Sequence, residues 1–171
     1  RVMQSMGCKV TFVADNLEHR QPYVSQLQQR GVEVLFHPFV RSIADLLSKR
    51  GSEFDIVVIS RHYIAVKHID AVRAFAPRAL VVFDTVDLHF LRSERQAELE
   101  ASAMARASAR AKRDEELTLI RKSDVTLVVS PVVGAATAPA AIVRGDPQRR
   151  PLPLAGFTAA VRAVAASREA R

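Results

Sequence analysis

Short apolar runs alternate with longer amphipathic segments through the first 130 residues of the chain. Five of these runs are rich in Val and Ile and have the length of β-strands: residues 9–14, 32–36, 55–60, 79–83 and 125–129. Three of them are almost continuously apolar, as expected for strands that helices cover on both faces. The runs therefore predict a mostly parallel sheet.

The segments between the strands carry helical patterns and helix boundary residues. Helices are predicted over residues 22–30, 42–50, 64–75 and 91–122. Ser42 and Asp45 open the second helix in capping-box-like spacing, and Gly51 follows its last residue. The pattern of the long fourth segment leaves open whether it is one helix or two. The alternation of strands and helices predicts an α/β, Rossmann-like, doubly wound sheet with right-handed crossovers.

The first residues of the chain, 1–6, are typical of the last turns of a helix that leads through Gly7 into the first strand. Doubly wound domains usually begin with a strand and a Gly-rich turn before such a helix, and neither is visible here. Because that strand lies centrally in the usual order, its absence predicts a gap between two groups of strands. We therefore expect weak stability or a rearranged sheet, since the apolar segment 141–144 is short for filling the gap.

The sequence pattern changes at Pro131. We expect residues 1–131 to form the Rossmann-like domain without its first strand, and residues 132–171 to form a poorly ordered tail or one short helix over 158–167. From Pro131 onward the chain has 12 Ala and five of its eight Pro. Six Arg against one Asp and one Glu give this part +4 of the total net charge of +7. The rest of the chain therefore has an ordinary surface charge.

Composition narrows the function classes further. The 171 residues are 49% hydrophobic, which is room for one domain with a core. Cys8 is the single cysteine, which excludes an internal disulfide framework and a multi-Cys zinc site, and we expect it to be a buried, inert thiol. Aromatic residues make up 6%, so no nucleic-acid partner is expected. The absence of a long apolar run predicts a cytoplasmic protein, with a peripheral place at the inner membrane face as the alternative.

Polar residues follow every predicted strand, and open α/β sheets bind their ligands at the carboxyl ends of parallel strands. These residues are Asp15 and Asn16 after the first strand, His37 after the second, Ser60, Arg61 and His62 after the third, Asp84 to His89 after the fourth, and Ser130 after the fifth. We expect them to converge on one edge of the sheet. Ordinary turn chemistry is the commoner reason for Asp15 and Asn16 at such positions.

The sharpest candidate cluster is Asp84, Asp87, His89 and Arg92, which lie within nine residues. A carboxylate or an imidazole suits a general base for a hydroxyl, and arginine suits a phosphate or a carboxylate. Asp87 is equally typical of the N-cap of the next helix, and His89 of its exposed first turn. Asp84 is more typical of a structural role.

Motifs for cofactors and metals are missing from the sequence. None of the six glycines belongs to a GxGxxG or P-loop pattern, and the five histidines lack metal-ligand spacing. We therefore expect no metal and no cofactor, and we expect His68 to be a solvated or half-buried helix residue. The basic residues Arg106, Arg110, Lys112 and Arg113 are typical of a solvated helix face. Contact of the basic helix 106–113 with a membrane surface is the alternative.

Four segments of the chain resemble bacterial glycosyltransferases of family four. The segments are 7–16 (GCKVTFVADN), 54–61 (FDIVVISR), 82–92 (VFDTVDLHFLR) and 123–131 (SDVTLVVSP). The third is similar to the family pattern D-T-x-D-hydrophobic-H-x-hydrophobic-R, and the fourth to its closing A/S-D-x-hydrophobic-V-S strand. The resemblance covers roughly residues 1–131, and these last two segments are its most specific parts.

The resemblance implies the amino-terminal, acceptor-binding half of a GT-B transferase, an enzyme of glycan or cell envelope polysaccharide biosynthesis. The parent enzyme would transfer a sugar from a nucleotide-sugar donor to a hydroxyl of a glycan or lipid-linked acceptor, without a metal. The resemblance places Asp87 and His89 in catalytic roles and Asp15, Asn16, Arg61 and Arg92 in acceptor binding. Many members have His directly before the Asp after the fourth strand, where this chain has Val86, so the role of His89 is open. Because the donor half is missing, we expect no activity from this chain alone.

Two other function classes fit parts of the pattern. A flavodoxin-like regulatory or ligand-binding domain has the same alternation and acidic strand ends, as at Asp15 and Asp84. A receiver domain would place a phosphorylatable Asp after the third strand and a Lys after the fifth, where this chain has Ser60 and Ser130. A nucleic-acid binder would rest on the basic tail, which lacks interleaved aromatic residues.

Overall fold

The computed structural model describes residues 2–86, 89–100, 102–128, 140–143 and 152–153. The helices are α1 (Val2–Ser5), α2 (Tyr23–Gln28), α3 (Ile43–Arg50), α4 (His62–Phe75), α5 (His89–Glu100) and α6 (Ala103–Lys122), with a short 3₁₀ helix at Gly51–Glu53. The strands are β1 (Thr11–Val13), β2 (Glu33–Leu35), β3 (Ile56–Ser60), β4 (Leu80–Asp84), β5 (Val125–Val128), β6 (Ala140–Val143) and β7 (Leu152–Pro153). Each of the five predicted strands is confirmed: the fourth is displaced by one residue, and the others are one to three residues shorter than predicted.

The helices follow the predicted boundary residues closely. The Ser42 side chain accepts a hydrogen bond from the Asp45 amide at 3.0 Å and so caps α3 as predicted. The long segment 91–122 is two helices, because α5 ends at Glu100 and Ser102 caps a new helix by accepting from the Ala105 amide at 3.4 Å. None of the helices in the described part of the chain is long and apolar enough to span a bilayer.

The strands form two separate sheets, and all pairs among β1 to β5 are parallel. The first sheet contains β1 and β2. The second has the order β3-β4-β5-β6-β7, in which β6 and β7 run antiparallel. The predicted α/β class and its mostly parallel strands are confirmed.

The division between the two sheets falls between β2 and β3 in the sequence, where the missing strand predicts a gap. Among the described residues, β1 pairs with β2 and β3 pairs with β4, and no backbone ladder joins the two sheets. The described strands therefore do not form one continuous sheet, because a parallel ladder continues only through a hydrogen-bonded neighbour. The convergence of the polar strand ends on one side of the molecule stays a prediction.

Two strands lie where the sequence pattern predicts little structure. Residues 140–143 pair with β5, at the outer side of the larger sheet, and residues 152–153 pair with β6. The segment around 141–144 thus extends the far side of the sheet instead of entering the gap. The other residues from 132 to 171, including the predicted helix over 158–167, lie outside the described residues.

The larger sheet is covered on both faces. On one face, Val81 and Phe83 pack with Ile69 and Leu47 of α4 and α3. On the other, Val82 and Val125 pack with residues before β1: Met3, Met6 and Cys8. Because side chains alternate across a strand, the continuous apolar run of β4 supplies both cores. Cys8 is half-buried in the second core, and no disulfide partner exists in the chain.

Candidate functional site

The carboxyl ends of β3 and β4 are joined by a direct side-chain contact. Ser60 and Asp84 are register partners at the ends of these strands, and Ser60 Oγ donates to Asp84 Oδ2 at 3.0 Å. The other carboxylate oxygen, Oδ1, accepts from the Val86 amide at 3.2 Å. One oxygen of Asp84 therefore joins the ends of β3 and β4 and the other holds the loop after β4, in keeping with the structural role expected for it.

Arg61 connects β3 to α4 with no intervening loop. Its backbone has φ 79° and ψ 138°, a left-handed conformation that favours glycine and costs about 1–3 kcal/mol for other residues. The Arg61 amide donates to the Asp84 carbonyl at 2.8 Å, and its own carbonyl accepts from the Ala65 amide at 3.0 Å. These bonds hold the strained residue in place. Arg61 is exposed and directly follows Ser60 at the end of β3, where the sequence predicts it.

The loop after β4 is strained at a second position. Val86 has φ 59° although it is β-branched. The preceding residue, Thr85, is buried, and its hydroxyl donates to the Leu127 carbonyl at 2.9 Å, which ties the loop to β5. Adjacent parallel strands thus each end in a residue with a left-handed backbone, and hydrogen bonds to the neighbouring strand maintain both.

The predicted catalytic residues lie directly after this loop. Asp87 is outside the described residues, while His89 is the first residue of α5 and Arg92 lies in its first turn. Their side chains are not among those described. Their catalytic and acceptor-binding roles therefore stay predictions.

The start of α5 is held by Glu116, a residue that the sequence analysis did not select. Glu116 belongs to α6, is 1% exposed, and accepts from the Phe90 amide at 3.0 Å through Oε2. A carboxylate at a helix N-terminus is favourable because the first amides lack partners within the helix. The available signal was its spacing, since Glu116 lies on the same helical stripe as Ala109 and Leu119, the two buried apolar residues of α6.

Asp15 lies in a different place from the Ser60–Asp84 pair. Its carboxylate is 2.7 Å from Lys67 Nζ and 2.6 Å from His68 Nε2, both in the second turn of α4. The hydrogen bond with His68, followed by that with Lys67, holds the pKa of the Asp15 carboxyl below its ordinary value. Asp15 thus links the first sheet to the helix after β3. His68 is half-buried as predicted, but its carboxylate partner was not foreseen.

Asn16 and His37 show how the loops after β1 and β2 meet. Asn16 Oδ1 accepts from the Glu18 amide at 3.2 Å, which is the turn chemistry considered for it. The next residue, Leu17, has φ 54°, and its carbonyl accepts from the His37 amide at 3.0 Å. The two loops are therefore joined by a backbone hydrogen bond beyond the end of the sheet, at its carboxyl side.

The predicted basic face of α6 is exposed, and two of its residues contact α5. Lys112 Nζ donates to Ser93 Oγ at 3.3 Å, and Arg113 Nη1 is 3.7 Å from Glu94 Oε1. Arg106 and Arg110 are exposed on the same helix. Contact of this helix with a membrane surface stays a prediction.

His62, at the start of α4, lies 3.3 Å from Glu115 Oε1 through Nε2. No group of three or more His, Cys, Asp or Glu side chains within the described ranges is placed to hold a metal ion.

Comparison of the chain with known family models, with curated proteins and with solved structures finds no match. Function is therefore inferred from the residues of this chain and their geometry.

Proposed function

We propose that this chain is the acceptor-binding, amino-terminal half of a GT-B sugar transferase. Its parent enzyme transfers a sugar from a nucleotide-sugar donor to a hydroxyl group of a glycan or lipid-linked acceptor. In support, three of the four segments that resemble the family contain β1, β3 and β5, the remaining segment contains the last three residues of β4, and each segment includes residues at the end of its strand. Motif residues in the expected strand-to-loop context are stronger support than the motifs alone.

The observation that carries this proposal is the group Ser60, Arg61 and Asp84 at the carboxyl ends of two neighbouring parallel strands. Open α/β sheets bind ligands at this edge. The exposed guanidinium of Arg61 suits a phosphate or carboxylate of the acceptor, and the Ser60 hydroxyl suits a sugar hydroxyl. The strained backbone of Arg61 is the kind of feature that clusters at ligand sites.

The chemistry of the proposed reaction needs a base that removes the proton from the acceptor hydroxyl. Asp84 already accepts hydrogen bonds at both oxygens, so it positions the loop. Asp87 and His89 follow it and are the proposed base and its partner. Glu116 contributes by holding the backbone of Phe90, next to His89. The donor would bind to a separate half, so this chain alone should bind acceptor without turnover.

Amide chemical shifts measured during ligand titration test this proposal. Neutral disaccharides and prenyl-phosphate-linked sugars should shift the amides of Ser60, Arg61 and Asp84, whereas a nucleotide sugar should not. Arg61→Ala should weaken binding of the phosphate-linked sugars about tenfold. The control is Arg78→Ala, which removes an exposed arginine just before the amino-terminal end of β4, away from the proposed site. This variant should leave binding unchanged.

Three outcomes of the binding titrations contradict the proposal. The first is that no sugar shifts these amides, and the second is that Arg61→Ala and Arg78→Ala behave alike. The third is that flavin mononucleotide binds at Ser60 and Asp84 while sugars do not. That result would favour a flavodoxin-like ligand-binding domain. Transfer of sugar by the purified chain alone would overturn the assignment to an acceptor-binding half.

A further inference from the structure

Three aromatic rings lie in contact at the carboxyl ends of β1 and β2. Phe36 directly follows β2, Phe39 is three residues further on, and His19 belongs to the loop after β1. The ring centroids of His19 and Phe36 are 4.5 Å apart at an interplanar angle of 50°. Those of Phe36 and Phe39 are 5.4 Å apart at 80°, an edge-to-face arrangement. We call this group the aromatic cluster.

Hydrogen bonds and one buried side chain keep the aromatic cluster in position. The Val40 amide donates to the Phe36 carbonyl at 3.2 Å, and the Val40 side chain is buried. The neighbouring His37 amide donates to the Leu17 carbonyl at 3.0 Å. The turn that carries Phe39 is therefore anchored on both sides, yet the Phe39 residue is 75% exposed. A ring held in this way presents a preformed apolar surface to solvent.

Exposed hydrogen-bonding residues are frequent in the two loops that carry the aromatic cluster, and Gln21 Nε2 lies 3.2 Å from His19 Nε2. The exposed neighbours in the same two loops are Asn16, Glu18, Arg20, Gln21, His37 and Arg41. They include donors, acceptors and charges of both signs, so they do not select a strongly charged ligand. The ligand that fits has a small apolar face and a rim of hydroxyl groups. A pyranose ring has this form, because its C–H groups lie on one face and its hydroxyls point outward.

Other ligand classes fit the aromatic cluster less well. An apolar helix of a partner needs a broad apolar stripe, whereas the two loops that carry these rings are rich in exposed polar residues. Small-molecule sites in open α/β folds also lie at the carboxyl ends of strands, where the cluster is found.

We propose that His19, Phe36 and Phe39 form a stacking platform for one pyranose ring of a neutral saccharide. Phe39 supplies the exposed ring, Phe36 packs against Phe39 in an edge-to-face contact, and His19 packs against Phe36. Asn16, a predicted acceptor-binding residue, lies in the same loop as His19, so its amide is placed to bind a hydroxyl of that saccharide. That the sugar belongs to the transferase acceptor rests on the proposed function, but stacking of a sugar on the platform does not.

The probes for this proposal are methyl glycosides of glucose, galactose, mannose and N-acetylglucosamine, titrated into the full chain. We expect the ring protons of Phe39 and the amides of Phe36, His37, Phe39 and Val40 to shift. Phe39→Ala should weaken binding about tenfold or more, whereas Phe39→Tyr should retain it. The matched control is Phe75→Ala, which removes an exposed phenylalanine at the end of α4, at the opposite edge of the larger sheet.

Two further variants separate stacking from simple apolar contact and from misfolding. Phe39→Leu keeps apolar bulk without a ring, so it should bind as poorly as Phe39→Ala. Unchanged amide shifts in β1 and β2, as well as in β3 to β5, would show that each variant is folded. If Phe39→Ala unfolds, the comparison of Phe39→Leu with Phe39→Tyr decides the question.

The platform is overturned if none of the methyl glycosides shifts residues 36–40, or if Phe39→Ala binds like Phe75→Ala. Stronger shifts by uridine monophosphate than by any glycoside also overturn it, since they indicate a nucleobase site. Glycoside binding at residues 36–40 without shifts at Ser60, Arg61 and Asp84 supports the platform and contradicts the proposed acceptor site. Shifts at Ser60, Arg61 and Asp84 without shifts at residues 36–40 overturn the platform and leave the proposed acceptor site standing.

Discussion

The two sheets of this protein have the same βα sequence pattern but differ in how they are buried. In the larger sheet, Val81, Val82 and Phe83 of β4 are 0% exposed, because strands flank β4 and helices cover both faces. In the smaller sheet, Phe12 of β1 is 46% exposed, and the buried residue of the two strands is Val34 of β2. The comparison teaches that an apolar strand is buried according to its neighbours, and not by its own composition.

The two sheets also differ in what holds them in place. Apolar packing stabilises the larger sheet, whereas polar contacts connect the smaller one to the helices around the larger. Arg50 of α3 donates to both oxygens of Glu33 in β2, at 3.0 and 3.1 Å. Thr11 in β1 donates to the same carboxylate at 2.6 Å. The hydrogen bonds from Arg50 and then Thr11 hold the pKa of the Glu33 carboxyl below its ordinary value.

The largest difference between the sheets should appear on truncating a phenylalanine in each. Phe83→Ala removes a fully buried ring from the core and should lower the free energy of unfolding by about 3–5 kcal/mol. Phe12→Ala should cost clearly less, because nearly half of that residue is exposed. Urea denaturation followed by circular dichroism measures both. Equal losses would contradict the difference in burial.

A smaller and more local effect should follow from breaking the Arg50–Glu33 contact. Arg50→Met should destabilise the attachment of β1 and β2 by about 1–2 kcal/mol, because a half-buried carboxylate loses a bidentate partner. Amide hydrogen exchange should become faster in β1 and β2 while β3 to β5 stay protected. Adding Glu33→Gln to the Arg50→Met variant should recover part of the lost stability. Uniformly faster exchange in both sheets would show that they open together.

The smallest effect concerns Asp15 and pH. Its pKa is lowered in the folded protein by His68 and Lys67, so its contribution is present above the ordinary value of 3.8. The contribution is lost as pH falls below 3.8 through the folded pKa. We expect this contribution to the free energy of unfolding to be about 1 kcal/mol or less, since Lys67 is largely exposed. Asp15→Asn should remove this part of the acid dependence of exchange in β1. An unchanged acid profile in that variant would refute the role of Asp15.

Much of the fold follows from local sequence. The β-branched runs at 55–60 and 79–83 predict β3 and β4, because continuous apolar side chains suit strands covered on both faces. Ser42 predicts the start of α3, since its side chain satisfies a helix amide directly. The position of Arg61 at a strand end also follows from the pattern. Its left-handed backbone does not, because arginine carries no preference for that conformation.

Other features depend on residues that are far apart in the sequence. Glu116 is visible as a carboxylate on an apolar stripe, but its partner, the Phe90 amide, is 26 residues away. Asp15 was expected at a ligand edge, and it lies beside α4, whose His68 is 53 residues further along. Phe39 follows β2 in an ordinary-looking loop, and only the folded loops bring it to Phe36 and His19.

The sequence by itself determined that β1 to β5 alternate with helical segments, that these strands are parallel, and which polar residues follow them. Hydrophobic period, capping residues and side-chain branching act over a few neighbours, so they can be seen in the sequence alone. The tertiary structure alone decided that the strands separate into two sheets, that Asp15 pairs with α4, and that three rings meet at one edge. These outcomes depend on which surfaces remain to be covered once the elements pack together, and no local pattern contains that information.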